Sequence, residues 1–257
     1  MIHALRRNVD IKILLFNNRI YGLTKGQYSP TSEFGKKTKS TPYGSVDYPL
    51  NPMSLALGSE ATFVARTHDT DVKHMTEVFQ AAGEHRGSAF VEIYQNCVIF
   101  NDNAFQPIDE KDTREDKSLK LVAGQPLIFG KDRNKGIRLK GLEPEVVEFN
   151  PKSPPSDLLV HNPNDPNPTY AEFLARMDLP RFPVPMGVFR SIQRPTYDEL
   201  VNEQVQAVEG KQGMGDLEGL WNSGDTCVVD AAASLLCFFW LLKVIQRQKR
   251  LAVILDS

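Results

Sequence analysis

The sequence predicts an α/β fold, a doubly wound domain on a parallel sheet with a small α+β appendage after it. Two observations carry that prediction. Val9 to Phe16, Thr62 to Arg66 and Ser88 to Tyr94 are nearly unbroken in apolar and β-branched residues, as strands buried on both faces of a parallel sheet should be. Helical patterns separate them, and from Ile108 onward the chain turns to short strands, charge runs and prolines.

Taken in order, Met1 to Arg7 reads as the last turns of a helix, with no apolar secretory core behind it. The first strand follows, then Tyr28 to Pro52, a loop rich in Ser, Thr, Pro, Gly and Lys. A loop of that length is a binding loop or a solvated basic one. Asn51 to Gly58 is a short helix with Pro in its first turn and Gly at its stop. Asp71 caps the next helix, whose Val72, Met75, Phe79 and Ala82 share one face. Gly83 to Gly87 ends it before the third strand.

Beyond Ile108, Asp109 to Lys117 is a charged connector, and Pro126 to Gly130, Gly136 to Leu139 and Val146 to Phe149 are short strands, the last two a hairpin. Asn150 to Tyr170 is proline-rich and is expected to be irregular and exposed. A helix over Thr169 to Met177, a turn from Leu179 to Pro185 and the segment Tyr197 to Val208 complete this part.

The 257 residues carry a formal charge of -2 and 41% hydrophobic side chains, a balance that gives no sign of nucleic-acid binding. Three scattered cysteines, Cys97, Cys227 and Cys237, make no disulfide framework, and a reducing cytoplasm is the simplest compartment. The histidines show no metal-ligand spacing.

Most functional information lies in Phe16-Asn-Asn-Arg-Ile-Tyr-Gly-Leu-Thr-Lys-Gly-Gln27, where a strand runs into asparagines, glycines and a lysine. Ligands of open α/β sheets bind at that edge, and Gly22 and Gly26 let the backbone approach a bound group. Carboxamide and carbonyl oxygens there are hard ligands, suited to magnesium holding a diphosphate. The same residues are also ordinary turn chemistry.

This block, with Ser29-Pro-Thr-Ser-Glu33 after it, resembles the thiamine diphosphate motif of the 2-oxoacid:ferredoxin oxidoreductase beta subunit, the 2-oxoglutarate type in particular. The resemblance runs from Met1 to Thr226 and implies oxidative decarboxylation of a 2-oxoacid to its coenzyme A thioester, with electrons passed to ferredoxin. It also implies an alpha subunit that completes the active site. Residues 1–107 would be the carboxyl-terminal part of a thiamine diphosphate-binding domain and 108–226 the beta subunit's carboxyl-terminal region. Asn18, by its side-chain oxygen, and Ile20, by its carbonyl, would be magnesium ligands, while Asn17 supports the turn. Gly22, Leu23 and Thr24 would line the diphosphate and the substrate side of the cofactor. Leu23 is also read as simple packing, and Lys25 and Lys73 either meet the phosphates of coenzyme A and acidic ferredoxin or stand solvated.

Cys97, in Gln-Asn-Cys-Val-Ile-Phe-Asn, resembles the fourth cysteine ligand of the family's [4Fe-4S] cluster. The family's Gly-Asp-Gly and Cys-x-x-Cys are absent, so the expectation is an amino-terminally shortened subunit with incomplete cofactor and cluster sites, weak or no cofactor binding and no activity by this chain alone. A non-catalytic chain that only pairs with alpha subunits, and another thiamine diphosphate decarboxylase such as the acetolactate synthase class, are the rival readings. Residues 227–257 have no counterpart in the resemblance. Their apolar run of roughly 12 residues falls short of the ~20 needed to span a membrane, so a frame-shifted or read-through tail is preferred to an anchor.

Overall fold

A computed structural model describes residues 1–225 of the chain. The tail beginning at Cys227, with Cys237 and the anchor question, lies outside the described residues. Among those described, no helix is long and apolar enough to cross a membrane. The chain divides into one compact unit over Met1–Glu203 and a second over Gln204–Ser257.

The first unit opens with α1 (Ile2–Arg6) and β1 (Lys12–Asn17), followed by a stretch without helix or strand. Then come α2 (Pro52–Gly58), β2 (Phe63–His68), α3 (Val72–Glu84) and β3 (Ala89–Tyr94). The cap expected at Asp71 forms, and Asn51 caps α2 in the same way. The Asn51 side chain accepts a hydrogen bond from Ser54 N at 3.0 Å to open α2, and Asp71 accepts one from His74 N at 3.1 Å to open α3.

After β3 the chain makes α4 (Gln106–Asp109), α5 (Arg114–Lys117), β4 (Ser118–Lys120), β5 (Ile128–Phe129), β6 (Lys135–Lys140) and β7 (Glu143–Glu148). It continues through α6 (Thr169–Ala175), β8 (Val184–Ser191) and α7 (Tyr197–Gln212). The second unit contains α8 (Leu217–Trp221), whose side chains are exposed. Strands β5, β6 and β7 form the antiparallel appendage, including the expected hairpin.

The main sheet has the order β1-β3-β2-β8-β4. β3 runs parallel to both β1 and β2, and β4 runs parallel to β8. The α/β class holds and the three strands read from the sequence are parallel, while β8, a strand the sequence reading does not assign, joins them antiparallel to β2. The region read as a turn from Leu179 to Pro185 already enters β8 at Val184. Asn150 to Tyr170 contains neither helix nor strand before α6, yet Leu158 and His161 are buried in it rather than exposed. Leu158 packs over Gly136, where an added Cβ would meet it at 2.7 Å.

Side chains alternate across the sheet. Val64 and Phe90 point to one face, where Leu5, Met53, Leu57 and Leu174 cover them. Phe63, Ala65, Ala89, Val91 and Ile93 point to the other, beneath Val78 and Ala82 of α3. Two corrections to the sequence reading follow. β1 is an edge strand, so Leu14 and Phe16 on the α3 side are exposed rather than buried on both faces. The inward face of α3 carries His74, Val78 and Ala82, with Met75 and Phe79 beside them and Val72 exposed. A helix of the right period still rotates to suit the surface it meets, and here a polar residue, His74, takes the inner row by bonding Thr67 Oγ1 at 2.9 Å.

Candidate functional site

The carboxyl ends of β1, β3 and β2 lie side by side and deliver Asn17, Glu92 to Tyr94, and Arg66 to His68 to one edge. Asn17 is buried and fully used. Its Nδ2 donates to Glu92 Oε1 at 2.7 Å, and its Oδ1 accepts from Thr31 Oγ1 at 2.7 Å and from Arg19 N at 3.2 Å. That is the turn-supporting role expected of it. Glu92 accepts in turn from Arg66 Nε at 2.8 Å, with both side chains almost wholly buried.

Two charges in the middle of a sheet carry a desolvation cost that only mutual pairing and further hydrogen bonds offset. The Arg66 guanidinium supplies more contact by lying 5.0 Å from the Tyr94 ring centroid and 5.4 Å from that of Phe189. Burial alone would lower the Arg66 pKa, but Tyr94 and Glu92 outweigh it and raise it. Burial pushes the Tyr94 hydroxyl up to about 12.

The loop after β1 is held by its own backbone and by a distant asparagine. Asn18 Oδ1 accepts from Ile20 N at 3.1 Å, and Asn101 Nδ2 reaches across to the carbonyls of Asn18 at 3.0 Å and Arg19 at 3.4 Å. Tyr21 N donates to Gln27 O at 2.8 Å and Gly26 N to Tyr21 O at 3.0 Å, closing a tight turn. Gly26 is required there twice over. Its φ is +99°, and an added Cβ would stand 3.1 Å from Phe100.

Two cavities meet at this edge. One, of about 440 Å³, is lined by Leu15, Phe16, Asn18, Ile20, Thr31 and Leu55 among others. The second, of about 350 Å³, is lined by Asn17, Arg19, Glu33, Arg66, Glu92 and Tyr94 among others. Asn17, Thr31, Leu50 and Pro52 line both and separate them. The structure therefore brings Asn18 and Ile20 to one cleft. It sets Leu23, Thr24 and Lys25 on an exposed turn, with Leu23 98% exposed and the Thr24 hydroxyl bonded to Tyr21 O at 3.4 Å. Gly22 has open space around it.

The donor set at the cleft fits part of a magnesium shell. Asn18 Oδ1 has a second lone pair, and the Ile20 carbonyl makes no hydrogen bond among the described residues. Both are neutral oxygens of the hard type magnesium takes, so the balancing charge would fall to the phosphates the metal would bind.

Cys97 follows β3, half-buried and unpaired, and its carbonyl accepts from Asn101 N at 2.9 Å. It can offer one thiolate, whereas an iron-sulfur cluster needs four ligands. Among the described residues no group of three or more His, Cys, Asp or Glu side chains gathers to hold a metal. Asn101 therefore ties the Cys97 loop to the Asn18 loop, a connection the sequence reading did not assign. Arg66 and Glu92 also escaped it, although single charges inside apolar strands were the signal that could have found them.

Residues 1–93 match the family model described as "Thiamine pyrophosphate enzyme, C-terminal TPP binding domain". Over 233 residues the chain is 47% identical to the 2-oxoglutarate oxidoreductase subunit KorB of Mycobacterium tuberculosis, covering 90% of this chain and 62% of that one. It is 46% identical over 101 residues to the 2-oxoacid:ferredoxin oxidoreductase subunit beta of Saccharolobus solfataricus, covering 39% of this chain and 33% of that one. Among solved structures it resembles a 2-oxoglutarate:ferredoxin oxidoreductase from Magnetococcus marinus with 2-oxoglutarate, coenzyme A and succinyl-CoA bound. That match has a TM-score of 0.61 and 28% identity, covering 88% of this chain and 62% of the other. The chain thus spans less than two thirds of the length of each of these relatives.

Proposed function

Because the chain is homologous to the beta subunits of 2-oxoacid:ferredoxin oxidoreductases, we propose that it works as such a subunit. The reaction is thiamine diphosphate-dependent oxidative decarboxylation of a 2-oxoacid, 2-oxoglutarate, to its coenzyme A thioester. The names of its KorB relatives and the ligands of the Magnetococcus structure support that choice of substrate. An alpha subunit is its partner, ferredoxin takes the electrons, and the cytoplasm is its compartment.

One observation carries the reading: Asn101 joins the loop of Asn18 and Ile20 to the loop of Cys97. A cofactor that gives up electrons and a cluster that takes them need to be held at fixed separation, and a shared hydrogen-bonded brace provides that. Thiamine diphosphate, when bound, supplies the electron sink for decarboxylation. Asn18 Oδ1 and the Ile20 carbonyl would hold its magnesium, Gly22 and Thr24 would border the diphosphate, and Leu23 and Lys25, on the exposed turn, would meet the substrate. Cys97 gives one thiolate to the [4Fe-4S] cluster.

The experiment is reconstitution with purified alpha subunit, thiamine diphosphate, magnesium, coenzyme A and an iron-sulfur source, followed by viologen reduction. Reduction that depends on 2-oxoglutarate and is lost in Cys97→Ser supports the reading. Full activity in Cys97→Ser would remove the cluster assignment, and no reduction in the complete mixture would remove the enzymatic one.

A further inference from the structure

The molecule holds another cavity, of about 370 Å³, which shares no lining residue with the two at the Asn17 edge. It lies where the start of α3 meets β4 and the turn between β5 and β6. Its buried floor is the apolar Ile108, Phe129 and Met186 with the rings of His68 and His74 beside them. Its rim carries Arg114, Lys120, Lys131 and Arg133. Among the described residues none of these four cations has a salt-bridge partner.

One of the four cations is held by a backbone contact, and the turn that carries two others is pinned through its main chain, while the Lys120, Lys131 and Arg133 side chains are exposed. Arg114 Nη2 donates to Asp109 O at 2.8 Å. Gly130 N donates to Glu115 O at 2.7 Å, which pins the turn bearing Lys131 and Arg133. Two carboxylates also line the cavity, Asp71 and Glu115. Asp71 already caps α3 through His74 N, and Glu115 is exposed. The excess of charge at the rim is therefore positive, and the amino-terminal end of the 13-residue α3 adds to it.

Unpaired Lys and Arg around an apolar floor suit a ligand with a flat body and an anionic end. An inorganic anion would leave the floor unused, and a fatty acid would leave most of the cations unanswered. We propose that this cavity binds a nucleoside diphosphate group. The base lies against Ile108, Phe129 and Met186, and the phosphates lie among Arg114, Lys120, Lys131 and Arg133. The group can come from a free nucleotide or from the nucleotide half of coenzyme A. The second source rests on the functional reading above, and the first does not.

Calorimetric titration of the full chain with ADP, coenzyme A and inorganic phosphate tests this at low ionic strength. ADP is expected to bind saturably and at least about tenfold more tightly than inorganic phosphate. The double variant Lys131→Ala, Arg133→Ala should weaken it by about tenfold or more, because two charge-assisted contacts are lost. Tighter binding of coenzyme A than of ADP identifies the coenzyme as the source, and equal or weaker binding identifies the free nucleotide.

Three results overturn the proposal: no saturable ADP binding, affinity unchanged in the variant, or inorganic phosphate binding as tightly as ADP, meaning an adventitious ion only. If the variant does not fold, lysine acetylation of the unmodified chain decides, since ADP must protect Lys120 and Lys131 and must leave Lys25 reactive. No arm needs thiamine diphosphate or turnover, so failure here is separate from failure of the viologen assay.

Discussion

Glu92 sits in a strand whose neighbours Val91 and Ile93 are fully buried, and it is stable as a charge only because Arg66 and Asn17 meet both of its oxygens. Removing one member leaves the other stranded. Arg66→Met alone, or Glu92→Leu alone, is expected to cost about 3–5 kcal/mol in urea unfolding. The double variant should recover much of that loss, since an apolar pair of similar volume carries no uncompensated charge. Additive losses in the double variant would mean that the pair is not coupled as its geometry indicates. At this scale the sequence was legible where chemistry is local. The turn that Asn17 and Asn18 brace follows from asparagines at a strand end, whereas the contact of Gly26 with Phe100 does not. Asn101 was not legible, because the carbonyls its side-chain amide donates to lie more than eighty residues away and nothing in its own surroundings points to them.

Elements were legible in proportion to how much of their pattern lies within them. α2 announces itself by the Pro in its first turn and the Gly at its stop, α3 by its Asp71 cap, and β2 and β3 by continuous apolar runs. β8 hides because Pro183 and Pro185 read as breaks, yet Pro185 stands opposite Leu119 of a three-residue strand and leaves the ladder intact. Gly187 lets β8 take its place. Its φ of +128° brings the backbone against Leu121, whose carbonyl would lie 3.0 Å from an added Cβ. The register between β2 and β8 also shifts close by, between Val64 and Ala65, as at a bulge. Gly187→Ala is therefore expected to destabilise the fold by roughly 1–2 kcal/mol, read from the urea midpoint at unchanged slope. A midpoint equal to that of the parent chain would show that β8 relaxes without strain.

For the whole molecule, the buried histidines govern how stability responds to pH, and no spacing in the sequence reveals this because burial depends on which elements close over each ring. His68, His74, His85 and His161 are all buried, and burial holds each imidazole below its ordinary pKa. At His68 the carboxylates of Asp109 and Asp69 oppose that shift; Nε2 lies 3.1 Å from Asp109 without the alignment of a hydrogen bond. Lys12 adds to the lowering at His85 and Lys120 at His74. His161 has the simplest surroundings. Its Nε2 lies 2.8 Å from Val188 O and its Nδ1 3.3 Å from the Tyr170 hydroxyl, which a neutral ring protonated on Nε2 satisfies at both ends. A histidine with a depressed folded pKa binds its proton more readily in the unfolded chain, so stability rises with pH. The contribution is complete above the unfolded value of about 6.5 and is lost as pH falls through the lower folded values. The thermal midpoint is therefore expected to fall between about pH 7.5 and about pH 5.5, and His161→Gln should fall less steeply across the same interval. An identical slope in that variant would take His161 out of the account and leave the pH response to the other three.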